Sequence, residues 1–245
     1  MSSNYLKLNS KKTELMLVAP KALLQKVGDF ILEVDGCSIS PSPEARNLGV
    51  ILDSTLSFHS HVKSVTKSAF FHLRNIARLR LSLSASVAET LHAFVTSRLD
   101  YCNSVLFGVP NKTLDRLQYV QNCAARVLTN TKPWQHITPT LIHLHWLPVK
   151  SRISYKILLL TYKSLHAQYL SDILHPHAPP RNLRSSDSGL LTTPRTKLRT
   201  FGDRAFSVAA PTLWNALPAE IPNIPTLDAF KRALKTHLFT KAFGP

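Results

Sequence analysis

Residues 59–82 constrain the fold most, because they carry one strongly amphipathic pattern. Their apolar residues recur at steps of three and four, namely Val62, Val65, Ala69, Leu73 and Ile76. This spacing places them on one face of an α-helix. Four cations and one aromatic residue fall on another face: Lys63, Lys67, Phe71, Arg74 and Arg78. The sequence therefore predicts a helix that buries one side and offers cations and an aromatic ring on the other.

This cationic face has two interpretations. The long Lys and Arg side chains can simply solvate the outer side of the helix, or they can contact a phosphate backbone with Phe71 between them. The whole chain carries 30 Lys and Arg against 14 acidic residues, a formal net charge of +16. Such an excess attracts polyanions, with nucleic acid as the first candidate and an anionic membrane surface as the second.

Length and composition set the class of protein. A chain of 245 residues with 44% apolar residues can form one large or two small packed domains. No run of eighteen apolar residues is present, so we expect no membrane span. The N-terminal residues lack the apolar region of a signal peptide. Three scattered cysteines, Cys37, Cys102 and Cys123, favour buried thiols in a reducing, intracellular compartment, nuclear or cytoplasmic.

Residues 1–58 predict a small antiparallel sheet. Asp35-Gly36 is a hairpin turn signal between two strand-like runs. The expected strands are Thr13–Val18, Phe30–Val34, Cys37–Ser40 and Asn47–Asp53.

Residues 59–174 predict a thumb-like helical domain. After the first helix, Ser86 to Glu89 matches a capping box, and the helix it starts runs to about Cys102. Three further helices are expected to begin at Pro110-Asn111, Thr138-Pro139 and Leu147-Pro148. Thr138 is the expected cap of the second. One or two more turns are expected over Tyr169–Leu174. The apolar stripes of the longer helices are Val87, Leu91, Phe94 and Leu99, then Leu114, Leu117, Val120, Ala124 and Val127, then Val149, Ile153, Ile157 and Leu160.

Residues 175–245 predict a loop-rich region that ends in a helix. Residues 175–205 hold four prolines and a local net charge of +4, from six basic and two acidic residues. This stretch is either a flexible arm that orders on a polyanion or a solvated surface loop. Ala205–Leu217 is too apolar for a free tail, so we expect it to dock on the protein, and Thr226 caps the last helix. The basic residues of the loop are Arg181, Arg184, Arg195, Lys197, Arg199 and Arg204.

The residues do not predict a catalytic or metal site. Two-metal catalysis needs closely placed carboxylates, but no two acidic residues of the chain are adjacent. Glu33 and Asp35 lie two residues apart, and Asp35 is already explained as a turn residue. No P-loop or GxSxG motif is present. The histidine pairs lack the four-ligand pattern of zinc, so we expect surface or capping roles for His59/His61, His143/His145 and His175/His177. We expect core positions for Trp134, Trp146 and Trp214.

Several segments, in the same order along the chain, resemble reverse transcriptases of non-LTR, LINE-type retrotransposons. LKLNSKKTELMLV at 6–18 resembles the LxLNxxKTE run that follows the catalytic strand in that family. NLGVILDSTLSFHSHV at 47–62 resembles the passage from palm to thumb. Residues 97–129 resemble the helical region after it. Residues 136–166 and 184–218 resemble the C-terminal extension of these polyproteins.

This resemblance implies the end of a palm, a thumb and a trailing domain without catalytic activity. In the family an acidic turn precedes the LxLN run, whereas here the chain begins five residues before Leu6. The resemblance therefore implies that the metal-binding carboxylates are missing. Lys12 aligns with a family lysine that is associated with proton transfer to pyrophosphate, a role that is idle without the metals. The helix at 59–82 would belong to the thumb, which lies along the template–primer duplex.

We thus expect a mainly α protein with a small N-terminal antiparallel β-sheet, organised as 1–58, 59–174 and 175–245. The expected function is that of a reverse-transcriptase-derived fragment with residual, non-specific binding of RNA, DNA or an RNA–DNA duplex, and with no cofactor, metal or small-molecule substrate. The alternatives are a non-enzymatic interaction or structural relic, and a part of an RNA-directed DNA polymerase that acts only with a separate palm. The candidate nucleic-acid-binding residues are Lys63, Lys67, Phe71, Arg74, Arg78, Arg181, Arg184, Arg195, Lys197 and Arg199.

Overall fold

The computed structural model describes residue 9 and residues 12–79, 87–166, 171–177 and 189–244. The chain forms two compact units, Met1–Lys67 and Ser68–Pro245. Antiparallel strands occupy the first unit and helices follow them. The predicted class, mainly α with a small N-terminal antiparallel β region, is confirmed.

The first unit contains two separate β-hairpins rather than one sheet. In the first, β1 (Leu32–Val34) pairs with β2 (Cys37–Ile39), and Val34 lies opposite Cys37. Asp35 and Gly36 form the turn with φ of +50° and +74°. These angles suit the primed turns whose twist matches that of the flanking strands. The predicted Asp-Gly hairpin is confirmed, with strands shorter than expected.

The second hairpin corrects the predicted strand Asn47–Asp53. Here β3 (Glu44–Asn47) pairs with β4 (Val50–Asp53), and Asn47 lies opposite Val50. The chain reverses at Leu48-Gly49, where φ is +45° and +81°. The apolar run is therefore a turn followed by a strand. A leucine with positive φ is uncommon, which is why the turn was not expected.

The predicted strand Thr13–Val18 is also wrong. Within the described residues, Leu15 forms only an isolated parallel bridge with Pro41. Prolines at 41 and 43 have no N–H to donate, so a continuous ladder cannot form beside them. After Pro20 the chain makes one helical turn, α1 (Lys21–Leu24).

Asp53 organises the passage from β4 to the long helix α2 (His59–Leu79). Its Oδ1 accepts hydrogen bonds from the backbone N–H of Thr55 at 3.1 Å and of Ser57 at 2.9 Å, and from the Thr55 hydroxyl at 2.7 Å. Its Oδ2 accepts the N–H of Phe58 at 2.7 Å. One carboxylate thus satisfies backbone groups immediately before the helix.

A π-helical turn interrupts the helix predicted from Ser86 to Cys102. The chain forms α3 (Val87–Leu91), a π turn (His92–Thr96), α4 (Ser97–Asp100) and a short 3-10 helix (Asn103–Leu106). The π turn shifts the register of the apolar stripe. Val95 is buried and Phe94 is 47% exposed, so the placement of Phe94 in the stripe is wrong. The proposed cap, Ser86, lies outside the described residues.

The next helices follow their predicted starts. They are α5 (Asn111–Thr129), α6 (Thr138–His143) and α7 (Val149–His166). One detail is corrected, because Thr138 is the first helical residue of α6 and Ile137 precedes it as the cap, without a side-chain hydrogen bond. In α5 the stripe residues Leu114, Leu117, Val120 and Ala124 are buried.

The C-terminal helices pack on α7. After α8 (Arg199–Gly202), α9 (Phe206–Trp214) and α10 (Leu227–Phe243) both contact α7. The Tyr162 and Phe230 rings stack at 4.2 Å between centroids. Ala205–Leu217 docks as predicted, and Thr226 Oγ1 accepts the Ala229 N–H as the predicted cap of α10. The shared core consists of Leu147, Leu158, Tyr162, Leu191, Trp214, Ile221, Phe230, Leu234 and Leu238.

The described part of residues 175–205 is anchored to this core. Leu191 is buried, and the N–H groups of His177 and Thr192 donate to the carbonyls of Leu190 and His175. Arg204 Nε donates to the Phe107 carbonyl at 3.1 Å. Arg181 and Arg184 lie outside the described residues, as does Tyr169, while Ser171–Ile173 forms a 3-10 turn.

Tryptophan placement was predicted only in part. Trp214 is buried as expected, whereas Trp134 is 80% exposed and the prediction of a core position for it is wrong. Trp134 lies in the segment between α5 and α6. Among the described helices, none is long and apolar enough to cross a membrane.

Candidate nucleic-acid interface

Helix α2 carries the predicted cations on its exposed side. Lys63 and Lys67, one turn apart, belong to the first compact unit, and Phe71, Arg74 and Arg78 belong to the second. All five side chains are exposed, and Phe71 is exposed to 61%. The apolar positions Val62, Ala69, Leu73 and Ile76 are buried. The predicted division of the helix into a buried and an exposed side is confirmed.

The α2 cations are not neutralised by ion pairs within the described part of the chain. The two pairs found there are Arg152–Asp100 and Lys231–Asp228. Neither involves Lys63, Lys67, Arg74 or Arg78. The positive charges of these four side chains can therefore interact with an external anion.

Phe71 belongs to an aromatic cluster that sequence reasoning did not find. Its ring meets His72 edge-on with centroids 5.3 Å apart, and His72 stacks on Phe94 at 5.2 Å. Arg98 Nη2 lies 3.2 Å from His72 Nε2. Because a guanidinium can only donate, Nε2 is the acceptor and the neutral ring carries its proton on Nδ1. We call Phe71, His72, Phe94 and Arg98 the aromatic cluster.

The sequence signal for this cluster was weak. Arg98 follows Phe94 by four residues and its Nε donates to the Phe94 carbonyl at 3.1 Å. The π turn, which leaves Phe94 exposed, has no clear sequence mark. The contact with His72 spans 26 residues along the chain, so helical spacing alone could not find it.

The loop cations are only partly brought together. Arg195, Lys197 and Arg199 are exposed. Arg195 and Arg199 line a depression of about 570 Å³ together with Asp203, whose carboxylate accepts a hydrogen bond from Thr196. The acidic side chain offsets part of the positive charge there. The α2 cations are therefore the stronger anion-binding candidates of the two groups.

The described residues provide no metal site, and burial disfavours Cys123 as a nucleophile. No group of three or more His, Cys, Asp or Glu side chains among them could hold a metal ion. Burial raises the pKa of the Cys123 thiol, against smaller opposite effects of Tyr119 and Arg126, and this disfavours a reactive thiolate. Lys12 is exposed.

His61 departs from the predicted surface or capping role. It is only 5% exposed, and its Nδ1 accepts the Ile51 N–H at 3.4 Å. Burial, and then the positive charge of Arg46, lower the pKa of its imidazole. The other members of the histidine pairs are exposed: His59, His143, His145, His175 and His177.

Comparison with known proteins finds no relatives. No protein-family model, no curated protein and no solved structure matches the chain. The resemblance to retrotransposon reverse transcriptases is therefore a prediction, and the physical character of the α2 surface carries the functional argument.

Proposed function

We propose that this protein binds RNA or DNA without sequence preference through the exposed cations of α2, and that it derives from a non-LTR retrotransposon reverse transcriptase without retaining catalysis. The observation that carries the proposal is the exposure of Lys63, Lys67, Arg74 and Arg78 with no ion pair to any of them among the described residues. Contacts of such side chains with phosphates supply most of non-specific binding, because they release condensed counterions.

The aromatic cluster supports the same function. Phe71 and Phe94 are 61% and 47% exposed, and exposed aromatic rings beside arginines stack on unpaired bases. Because every base has a π face, this interaction adds affinity without reading sequence.

The test is a salt series of anisotropy measurements with labelled single-stranded RNA, single-stranded DNA and an RNA–DNA duplex. Four phosphate contacts give a plot of the logarithm of the association constant against the logarithm of salt concentration a slope of about −3.6 on duplex. Raising the salt from about 50 to 200 mM therefore lowers the affinity roughly 100-fold. We expect the variant Lys63→Ala/Lys67→Ala/Arg74→Ala/Arg78→Ala to bind much more weakly and with a shallower slope.

The matched control removes four exposed cations from α5 and α7: Lys112→Ala/Arg116→Ala/Lys150→Ala/Lys163→Ala. Both variants lose the same net charge and both place alanine in helices. We expect the control to bind nearly as well as the parent protein. Equal losses in the two variants would show that total charge, rather than α2, governs binding, and a salt-independent affinity would contradict the proposal altogether.

A second candidate function is that of a non-enzymatic interaction protein. It is favoured by apolar side chains of the first unit that are 40–55% exposed, namely Leu23, Val27, Phe30 and Ile31, since clustered exposed apolar residues mark interaction surfaces. Sedimentation of the purified chain distinguishes it: concentration-dependent association that persists in high salt, together with absent nucleic-acid binding, would favour this candidate.

A further inference from the structure

One of the three tryptophans lies in solvent. Trp214 is buried in the core, and Trp146 lines a cavity of about 620 Å³ that the π turn, α4, α7 and α10 also line. Trp134, between α5 and α6, is 80% exposed. The indole is one of the largest apolar groups of a protein, and its burial dominates the energetics of many interfaces. A binding partner that covers Trp134 therefore gains a large favourable contact.

Trp134 occupies a tight turn with a defined backbone. The Gln135 N–H donates to the Lys132 carbonyl at 3.1 Å, which closes a β-turn with Pro133 and Trp134 as its central residues. Proline holds φ at about −65° and is favoured at this position of a turn. Gln135 Oε1 accepts the Lys132 N–H at 2.8 Å. The two ends of the turn are therefore joined by two hydrogen bonds.

Arg126 of α5 restrains the same turn. Its Nη1 donates to the Lys132 carbonyl, and its Nη2 donates to the Gln135 carbonyl at 2.9 Å. One planar guanidinium thus binds both ends of the turn, and its rigid fork of donors fixes their separation. The backbone that carries Trp134 is ordered before a ligand binds, which lowers the entropy cost of binding.

The chain around Trp134 is basic. Residues 116–171 include seven Lys and Arg and no Asp or Glu. Lys132 and His136, each two residues from Trp134, are exposed. Neither of the two ion pairs among the described residues involves Lys132. The turn therefore suits a ligand that combines a flat apolar face with negative charge.

Two other classes of partner fit this turn less well. Binding to a membrane surface scales with the apolar area buried, and the exposed neighbours Lys132, Gln135 and His136 are polar or basic. The centre of a protein–protein interface is depleted in charged residues, lysine among them. An unpaired nucleotide, by contrast, supplies a planar base and a phosphate in one unit.

We propose that Trp134 is a stacking platform for an unpaired nucleobase, and that the turn at 132–135 binds single-stranded RNA or DNA in preference to duplex. The charge of Lys132 attracts the phosphates of the strand. Bases of a single strand can splay out onto an aromatic side chain, whereas those of a duplex are already paired and stacked. The proposal rests on the nucleic-acid binding proposed above, but it uses none of the α2 residues.

Anisotropy measurements on the full chain with three labelled ligands of equal length test the proposal. The ligands are a single-stranded DNA, the same strand with abasic sites throughout, and a duplex. The abasic strand keeps every phosphate and loses every base. We expect Trp134→Leu to lower the affinity for the intact single strand about tenfold, the effect of one stacked base. Its affinities for the abasic strand and the duplex should equal those of the parent protein.

Trp134→Phe is the matched control. Both replacements are apolar, but only phenylalanine keeps an aromatic ring. We expect Trp134→Phe to retain the affinity for the intact single strand to within about threefold, because stacking tolerates exchange of the aromatic ring. Equal losses in the two variants would overturn the proposal. So would a loss of affinity for the abasic strand as large as that for the intact strand.

The quadruple variant of the α2 cations separates this proposal from the function proposed above. We expect that variant to bind all three ligands more weakly, whereas Trp134→Leu weakens only the intact single strand. Parental binding by Trp134→Leu, with weakened binding by the α2 variant, would overturn the Trp134 site alone. The reverse result would overturn the α2 interface and support the Trp134 site. Absence of any binding by the parent protein would overturn both.

Cosedimentation with vesicles of phosphatidylcholine and phosphatidylserine tests the membrane alternative. Vesicle binding that Trp134→Leu loses, together with parental affinity of this variant for the single strand, would assign the ring to a membrane surface and overturn the proposal. Because the Trp134 side chain is exposed, its replacement should leave the fold intact, and circular dichroism of Trp134→Leu should match that of the parent protein.

Discussion

At the scale of single residues, buried and half-buried polar groups explain local order that apolar patterning cannot. Asp53 and Asn103 contact groups two to five residues away along the chain, and His61 contacts Ile51, ten residues away. Asp53 and His61 are satisfied by their neighbours, and Asn103 is satisfied only at its nitrogen. The first two therefore stabilise the fold, whereas the buried Asn103 oxygen has no partner among the described residues.

Replacing Asp53 by asparagine should weaken the start of α2 in a pH-dependent way. Burial would raise the pKa of Asp53, but hydrogen bonds from the Thr55 side chain and from the backbone of Ser57, Phe58 and Thr55 outweigh it and lower the pKa. A lowered pKa contributes stability above the unfolded value of about 3.9, and this stability is lost as pH falls through the folded value.

We expect Asp53→Asn to lower the free energy of unfolding by roughly 1–2 kcal/mol at neutral pH, the size of a charge-assisted hydrogen bond. Denaturant titration followed by far-UV circular dichroism, repeated across pH, measures the difference. The difference between the two proteins should shrink in acid, and a difference that stays constant down to about pH 2 would exclude the ionised carboxylate as its cause.

His61 should make the first unit sensitive to mild acid. Its lowered pKa means that the unfolded chain binds a proton at about pH 6.5 whereas the folded chain does not. Stability is therefore full above about pH 6.5 and falls as pH drops toward the folded pKa, by at most about 1.4 kcal/mol per pH unit.

The variant His61→Gln removes this titration, and the exposed neighbour His59→Gln is its control. Unfolding free energies at about pH 7.5 and about pH 5.5, on either side of the ordinary histidine pKa, should differ less in His61→Gln than in the parent protein. The control should keep the parental difference. The same acid sensitivity in both variants would refute the role of His61.

At the scale of elements, periodicity predicted the long helices and failed at irregular turns. α2, α5, α7 and α10 follow from apolar spacing, because each buries one face, and proline or threonine marks the starts of α5, α7 and α10. The Leu48-Gly49 turn and the π turn were missed, since a leucine with positive φ and one extra residue in a helical turn depend on tertiary packing rather than on local propensity.

The packing of α10 on α7 should depend strongly on Phe230. Its side chain is fully buried, stacked on Tyr162 and 5.9 Å from the Trp214 ring. We expect Phe230→Ala to lower the free energy of unfolding by about 3–5 kcal/mol through lost burial and a residual cavity. Phe71→Ala, at an exposed position, should change it by less than about 0.5 kcal/mol. Denaturant unfolding followed by tryptophan fluorescence compares the two, and similar effects would contradict the assignment of the core.

At the scale of the whole molecule, charge was readable from the sequence and the cavity was not. The net charge of +16 and the exposure of the α2 cations follow from composition and helical spacing. The cavity assembles side chains from positions 92 to 235, and no local pattern links them. The cationic part of the candidate interface could thus be predicted, whereas the aromatic cluster and the cavity required the tertiary structure.

The three tryptophans give this molecule its own optical reporters. Trp134 is 80% exposed and Trp214 only 3%, so a soluble quencher such as iodide would reach the first indole and spare the second. Trp146 lines the cavity. Emission from Trp134 should therefore report on the solvent, emission from Trp214 on the integrity of the core, and emission from Trp146 on changes at the cavity wall, without any attached dye.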